Sequence, residues 1–211
     1  LCLRERCLNL LYNFIRLSIT LSSYKNCPFL RQLKQSLAFK NKIMNIQIKP
    51  EIPLYIDEIY QITELAFLKH PFSSHTEQFI IKALRKNKAL SISLVAISND
   101  KVVGHIAFSP IQISDNSENW YILGPMAVHP EFQGKGIGSS LVKSGIQSLK
   151  NLNALGCVLL GESKLYSRFG FENNSNIILE GVPQEYFLSL PFSDSIPNGI
   201  VKYNSAFEAS C

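Results

Sequence analysis

Leu123-Gly124-Pro125-Met126-Ala127-Val128-His129-Pro130-Glu131-Phe132-Gln133-Gly134-Lys135-Gly136-Ile137-Gly138 decides the fold of this 211-residue chain. An apolar, strand-like run closes at His129-Pro130. A turn follows, and glycines at positions 134, 136 and 138 lead into Ser139-Ser140-Leu141-Val142, where a helical pattern opens. Glycines leave backbone N–H groups uncovered, and a helix N-terminus carries a partial positive charge. The two together suit a pyrophosphate. One glycine would serve a plain strand-to-helix turn, so three at alternate positions point to a ligand.

The flanking sequence fits around that turn. Trp120 to Val128 is apolar on both faces and reads as a central strand. Ile137 to Leu152 places Ile137, Leu141, Val142, Gly145, Ile146 and Leu149 on one helical face. Cys157-Val158-Leu159-Leu160 then suits a short parallel neighbour reached by that crossover helix. Ser163 to Arg168 predicts a short helix capped by Ser163 and stopped at Gly170.

Upstream, Asn45 to Lys49 alternates like an opening strand, and Pro53 to Leu68 predicts an amphipathic helix with Pro in its first turn. A second helix is expected over His75 to Lys86. Ile92 to Ser98 and Lys101 to Ser109 read as a hairpin turning at Asn99-Asp100, with Pro110 ending or bulging its second strand. Asp115 to Asn119 is a polar loop. Beyond Phe171 the prolines at 183, 191 and 197 interrupt the pattern, and two further strands are expected within 177–207.

Charge divides the chain in two. Residues 1–43 carry Arg4, Arg6, Arg16, Lys25, Arg31, Lys34, Lys40 and Lys42 against Glu5 alone. The rest is slightly acidic, so the overall +5 says nothing about the partners of the main domain. The first methionine is Met44. Residues 1–43 are therefore expected to be an upstream extension or a leader outside the fold, and 44–211 the folded domain. Arg16 interrupts the longest apolar run, so no spanning helix is expected. The cysteines form no CxxC pair or disulfide framework, which suits free thiols in a reducing, cytoplasmic setting. His70, His75, His105 and His129 show no metal-ligand spacing, so no metal is expected. A nucleic-acid role would rest on residues 1–43 alone, and none is expected of the domain. An edge contact through Trp120 and the proline-rich C-terminal region would allow a homodimer.

Rival phosphate motifs fit poorly. A Walker loop needs GxxxxGK followed by Ser or Thr, and the dinucleotide fingerprint needs GxGxxG where this turn has GxGxG. Gln133-x-x-Gly136-x-Gly138 instead resembles the GNAT superfamily of acyl-CoA-dependent N-acetyltransferases. Leu123 to Pro130 is similar to that superfamily's strand before the pyrophosphate loop. Tyr166-Ser167-Arg168-Phe169-Gly170-Phe171 is similar to its Tyr-x-x-Phe-Gly-Phe element. The resemblance runs from Met44 to Asn174, and Val201 to Phe207 extends it towards a bacterial branch of small acetyltransferases.

The resemblance implies an α+β fold with a mixed, mostly antiparallel sheet whose fourth and fifth strands splay apart to hold acetyl-CoA. It implies that the backbone of Met126, Ala127 and Val128 pairs with the pantetheine arm as an added strand would. Backbone N–H groups of Gly134, Lys135, Gly136, Ile137 and Gly138 would cradle the pyrophosphate, with Gln133 and Ser139 assisting and Lys135 available as a point charge. A backbone N–H near Val128 would stabilise the oxyanion, and Tyr166 would protonate the departing thiolate. For the base, Glu162, Glu118, His129, Glu131 and water stay open, with Glu162 after the fifth strand the first choice. The expected reaction is direct acetyl transfer from acetyl-CoA to a primary amine of a small molecule, amino acid or peptide. A non-catalytic acyl-CoA-binding domain is the alternative. The acceptor itself is not legible.

Overall fold

The structure is a computed structural model that describes residues 45–71 and 73–210. The extension expected over residues 1–43 lies outside the described residues. A seven-stranded sheet runs in the order β1-β2-β3-β5-β6-β9-β7. It is built from β1 (Gln47–Pro50), β2 (Ile92–Ser98), β3 (Lys101–Pro110), β5 (Trp120–Val128), β6 (Gly156–Leu160), β7 (Glu172–Asn173) and β9 (Phe187–Pro191). Within this sheet only β5 and β6 pair in parallel, and every other neighbour is antiparallel. A second sheet joins β4 (Gln112–Ile113), β10 (Gly199–Lys202) and β8 (Ile177–Ile178). The expected mixed, mostly antiparallel α+β fold is present, with the predicted splayed fourth and fifth strands corresponding to β5 and β6. Within 177–207 three strands form where two were expected, and β7 precedes them. β7 and β8 have two residues each, too few for any periodicity to announce them.

Helices α1 (Ile56–Phe67) and α2 (Glu77–Lys86) cover one face of the sheet. Ile59, Ile62 and Ile81 pack there on Val95, Ile97 and Val102. The expected first helix is shortened at its start, because Pro53 to Tyr55 forms a 3-10 turn. The other face takes α3 (Ile137–Asn151), which presses close enough that a Cβ on Gly104 would stand 3.1 Å from Leu141 Cδ1. Trp120 is only 1% exposed, packed among Ile111, Ile113, Ile122, Val158 and Val201. It is core, and offers no edge for a dimer contact. Cys157 is also fully buried, and burial pushes its thiol far above the ordinary range. Among the described residues no helix is long and apolar enough to cross a membrane.

The sheet face under α2 holds a polar network that spacing in the sequence did not reveal. Arg85 donates through Nε to Glu51 Oε1 at 2.8 Å, with Nη2 also 2.8 Å away. Ser93 Oγ donates to Glu51 Oε2 and sits 2.8 Å from His105 Nε2. With the serine proton directed at the carboxylate, the imidazole donates from Nε2. Burial would raise the Glu51 carboxyl, but the contacts from His105, Arg85 and Ser93 outweigh it and hold it at about 2. Burial lowers His105, against the opposing pull of Glu51.

Both shifts destabilise the fold in acid. The unfolded chain takes up a proton on His105 near pH 6.5, where the folded chain still resists it. It takes up another on Glu51 near 4.5, well above the folded value. Stability is therefore expected to fall as pH drops below about 6.5 and faster below about 4.5. Thermal denaturation between pH 8 and 4 checks this, and His105→Gln should flatten the upper part of the decline.

Candidate active site

The β5–β6 pairing ends at Leu123 and Leu159, yet β5 continues along β3 as far as Val128. Two local features part the strands. Pro125 has no N–H to give to a ladder. Between Ile106 and Phe108 of β3, β5 also carries one residue too many, a bulge at Gly124-Pro125. Gly124 has φ 149°, a conformation that favours glycine. Past the bulge β5 has a strand on one side only.

The backbone groups facing that gap can be assigned. The His129 N–H donates to Val103 O at 3.0 Å. Alternation along the antiparallel ladder then turns Ala127 towards β3 and aims the N–H and C=O of Met126 and Val128 into the gap. The three residues thus divide, Met126 and Val128 turning backbone groups into the gap and Ala127 closing the sheet behind them at 2% exposure. Gln133 closes one end of the gap by donating from Nε2 to Val128 O at 3.0 Å.

Gly134 and Gly136 have φ of 72° and 81°, in the left-handed region where a side chain is strained. Gly136 is the N-cap of α3 and supplies no capping side chain. The N–H groups of Ile137, Gly138 and Ser139 therefore have no partner inside the helix, whereas that of Ser140 reaches Gly136 O at 3.0 Å. Gly138 differs in kind from the other two glycines. A Cβ there would stand 3.8 Å from both Met126 Cε and Val128 Cγ2, filling the space where helix and strand diverge.

A cleft of about 280 Å³ lies against this loop. Met126, Val128, Gln133, Gly134, Gly136 and Ile137 line it on the β5 and α3 side, together with Gly138 and Ser139. Leu165, Tyr166, Arg168 and Phe169 line it from the segment after β6. That segment is α4 (Ser163–Tyr166) and a 3-10 turn over Ser167–Phe169, ended by Gly170 at φ 89°. Ser163 is the first helical residue and Glu162 takes the N-cap position, with no side-chain capping bond.

Tyr166 reaches the cleft because Gly161 lets it. A Cβ on Gly161 would come within 2.6 Å of the tyrosine ring. Phe171, fully buried, meets the ring edge-on at 6.0 Å, and Phe169 tilts against it at 6.5 Å. Burial raises the phenol above its ordinary value, so it holds its proton throughout the neutral range.

Two expected site residues stand apart from the cleft. Lys135 folds back so that Nζ donates to Glu131 O at 2.7 Å and lies 5.0 Å above the Phe132 ring. Glu162 is exposed and contributes nothing to the lining. Arg168, named above only within the short helix and the Tyr166 to Phe171 element and with no role in the site, does line it. Among the described residues no group of three His, Cys, Asp or Glu side chains is placed to hold a metal ion.

Residues 56–171 match the model of the Acetyltransferase (GNAT) family. The chain is 36% identical over 108 residues to the uncharacterized N-acetyltransferase YhbS of Escherichia coli K12. That match covers 51% of this chain and 65% of YhbS, so it spans just under two thirds of the relative. A GNAT family acetyltransferase from Brucella melitensis, solved with acetyl-CoA, is 42% identical with a TM-score of 0.70, over 78% of this chain and 99% of that one. Escherichia coli YhbS, solved with CoA, is 28% identical with a TM-score of 0.72, over 80% and 94%. The parted strands, the glycine loop and the cleft-lining tyrosine all fall within the span that the family model matches, and the chain belongs to the GNAT family of acetyltransferases.

Proposed function

We propose that the chain transfers an acetyl group from acetyl-CoA to a primary amine by direct attack. The observation that supports this best is the half-paired stretch of β5 beside an uncapped helix N-terminus. Together they offer strand-like pairing for an amide-bearing arm and N–H donors for a pyrophosphate. The acetyl-CoA and CoA bound in the two solved relatives fit that division of labour. In free form the arm's amides would meet the exposed backbone of Met126 and Val128. The diphosphate would meet the N–H groups from Gly134 to Ser139, where the left-handed backbone at Gly134 and Gly136 turns the chain into the helix.

The chemistry then needs an oxyanion donor, an acid and a place for the amine's proton. A backbone N–H of the freed β5 edge serves the first. Tyr166, protonated and packed against Gly161 and Phe171, gives its proton to the thiolate. Glu162, exposed at the start of the helix that carries Tyr166 but outside the cleft lining, would receive the amine's proton only through water. The Cys157 thiol, buried and raised, is unfit as a nucleophile, which favours attack without an acetyl-enzyme.

Titration calorimetry with acetyl-CoA, followed by thiol release against a panel of amines, tests this reading. Saturable binding and amine-dependent release are expected. Binding without release against any amine would leave an acyl-CoA-binding module, and absence of binding would remove the donor assignment.

A further inference from the structure

We propose that Arg168 binds the 3′-phosphate of the donor and so makes the site selective for CoA over its 3′-hydroxyl analogue. This rests on the acetyl-CoA reading above. The nucleotide end of CoA carries two separate anionic groups, a diphosphate and a ribose 3′-phosphomonoester. The α3 N-terminus and its glycines supply partial charge for one of them, and a helix terminus acts only over its first turn, with about half a unit charge. A second phosphate calls for a full cation.

Lys135 has the position in sequence but not the geometry. Its ammonium is engaged with Glu131 O and the Phe132 ring, and it does not line the cleft. Arg168 is the one lysine or arginine among the cleft-lining residues, and it stands on the wall opposite the glycine loop. Among the described residues it makes no ion pair, so no carboxylate already neutralises it. Its guanidinium lies 5.0 Å over the ring of Phe169, itself part of the lining. Stacking of this kind holds the planar fork at the cleft while leaving its N–H edge free, and that edge matches a phosphate in bidentate fashion. The diphosphate and the 3′-phosphate would then be held from opposite walls.

The test is calorimetric titration of the full chain and of Arg168→Ala and Arg168→Lys with CoA and with 3′-dephospho-CoA. The unsubstituted chain should bind CoA about tenfold tighter, the scale of a charge-assisted contact at an exposed site. Arg168→Ala should abolish that preference by weakening CoA alone. Arg168→Lys should keep part of it, and raised salt should shrink it in the unsubstituted chain. Equal loss for both ligands in Arg168→Ala would overturn the assignment, since it would place the arginine on the diphosphate or in the wall packing. So would an unsubstituted chain that binds both ligands equally well. A chain that bound neither would overturn the donor reading itself, and this inference with it.

Discussion

Replacing Tyr166 with phenylalanine is expected to lower kcat by about 10–1,000-fold while leaving the dissociation constant for acetyl-CoA within about twofold. The split follows from what the substitution removes. Phenylalanine keeps the ring that rests on Gly161 and meets Phe171 edge-on, so the wall of the cleft survives. Only the hydroxyl goes, and with it the proton for the departing thiolate. The sign of the pH dependence also follows. Burial raises the Tyr166 phenol, so its loss of a proton should not limit the unsubstituted enzyme below about pH 10. Steady-state kinetics between pH 6 and 10 read both effects. An unchanged kcat in Tyr166→Phe would remove the tyrosine as the acid, and an alkaline limb near pH 8 would have to belong to another group.

Gly145→Ala should destabilise the fold by about 2–4 kcal/mol, a very large effect for the addition of one methyl group. A helix-interior glycine is ordinarily improved by alanine, by up to about 1 kcal/mol. Here the new Cβ would land on Phe108 Cε2 and Cζ. Phe108 is fully buried on β3, in register with Leu123 at the last paired position before the β5 bulge. Its ring cannot swing aside without displacing core, so α3 itself must lift. Because α3 begins at the glycine loop, the same variant should weaken acetyl-CoA binding although residue 145 lies two turns along the helix. Chemical denaturation and calorimetry measure the two losses. A variant as stable as the parent would show that the helix sits further from the sheet than these contacts require.

Much of this site was legible in the chain because its parts are local. The run from Leu123 to Gly138 is continuous, its glycines at 124, 134 and 136 take a positive φ that favours glycine, and Tyr166 follows after one strand. The boundaries of β5, β6 and α3 came within a residue or two, since each carries an apolar pattern of its own period. What escaped was set by tertiary contact. Glu51, Arg85, Ser93 and His105 meet from three elements and the segment after β1, and nothing in their spacing marks them as one network. Arg168 reads as an ordinary basic residue in a short helix until the turn ending at Gly170 presents it to the cleft. Lys135 shows the opposite case: adjacency in sequence suggests a phosphate contact, whereas its ammonium rests on the nearby carbonyl of Glu131.

If the donor binds as proposed, the parted strands would also tie the lifetime of the folded molecule to its supply of acetyl-CoA. From Met126 to Val128 the sheet has an open edge in its interior, with backbone hydrogen-bonding capacity that no neighbouring strand takes up. A donor arm laid along it would complete the ladder only in the folded chain, so by mass action occupancy adds to stability. At a hundredfold excess over the dissociation constant the gain is about 2.7 kcal/mol. A cell short of acetyl-CoA would then hold a protein that is idle and easier to unfold, and abundance would follow metabolic state without any dedicated regulator.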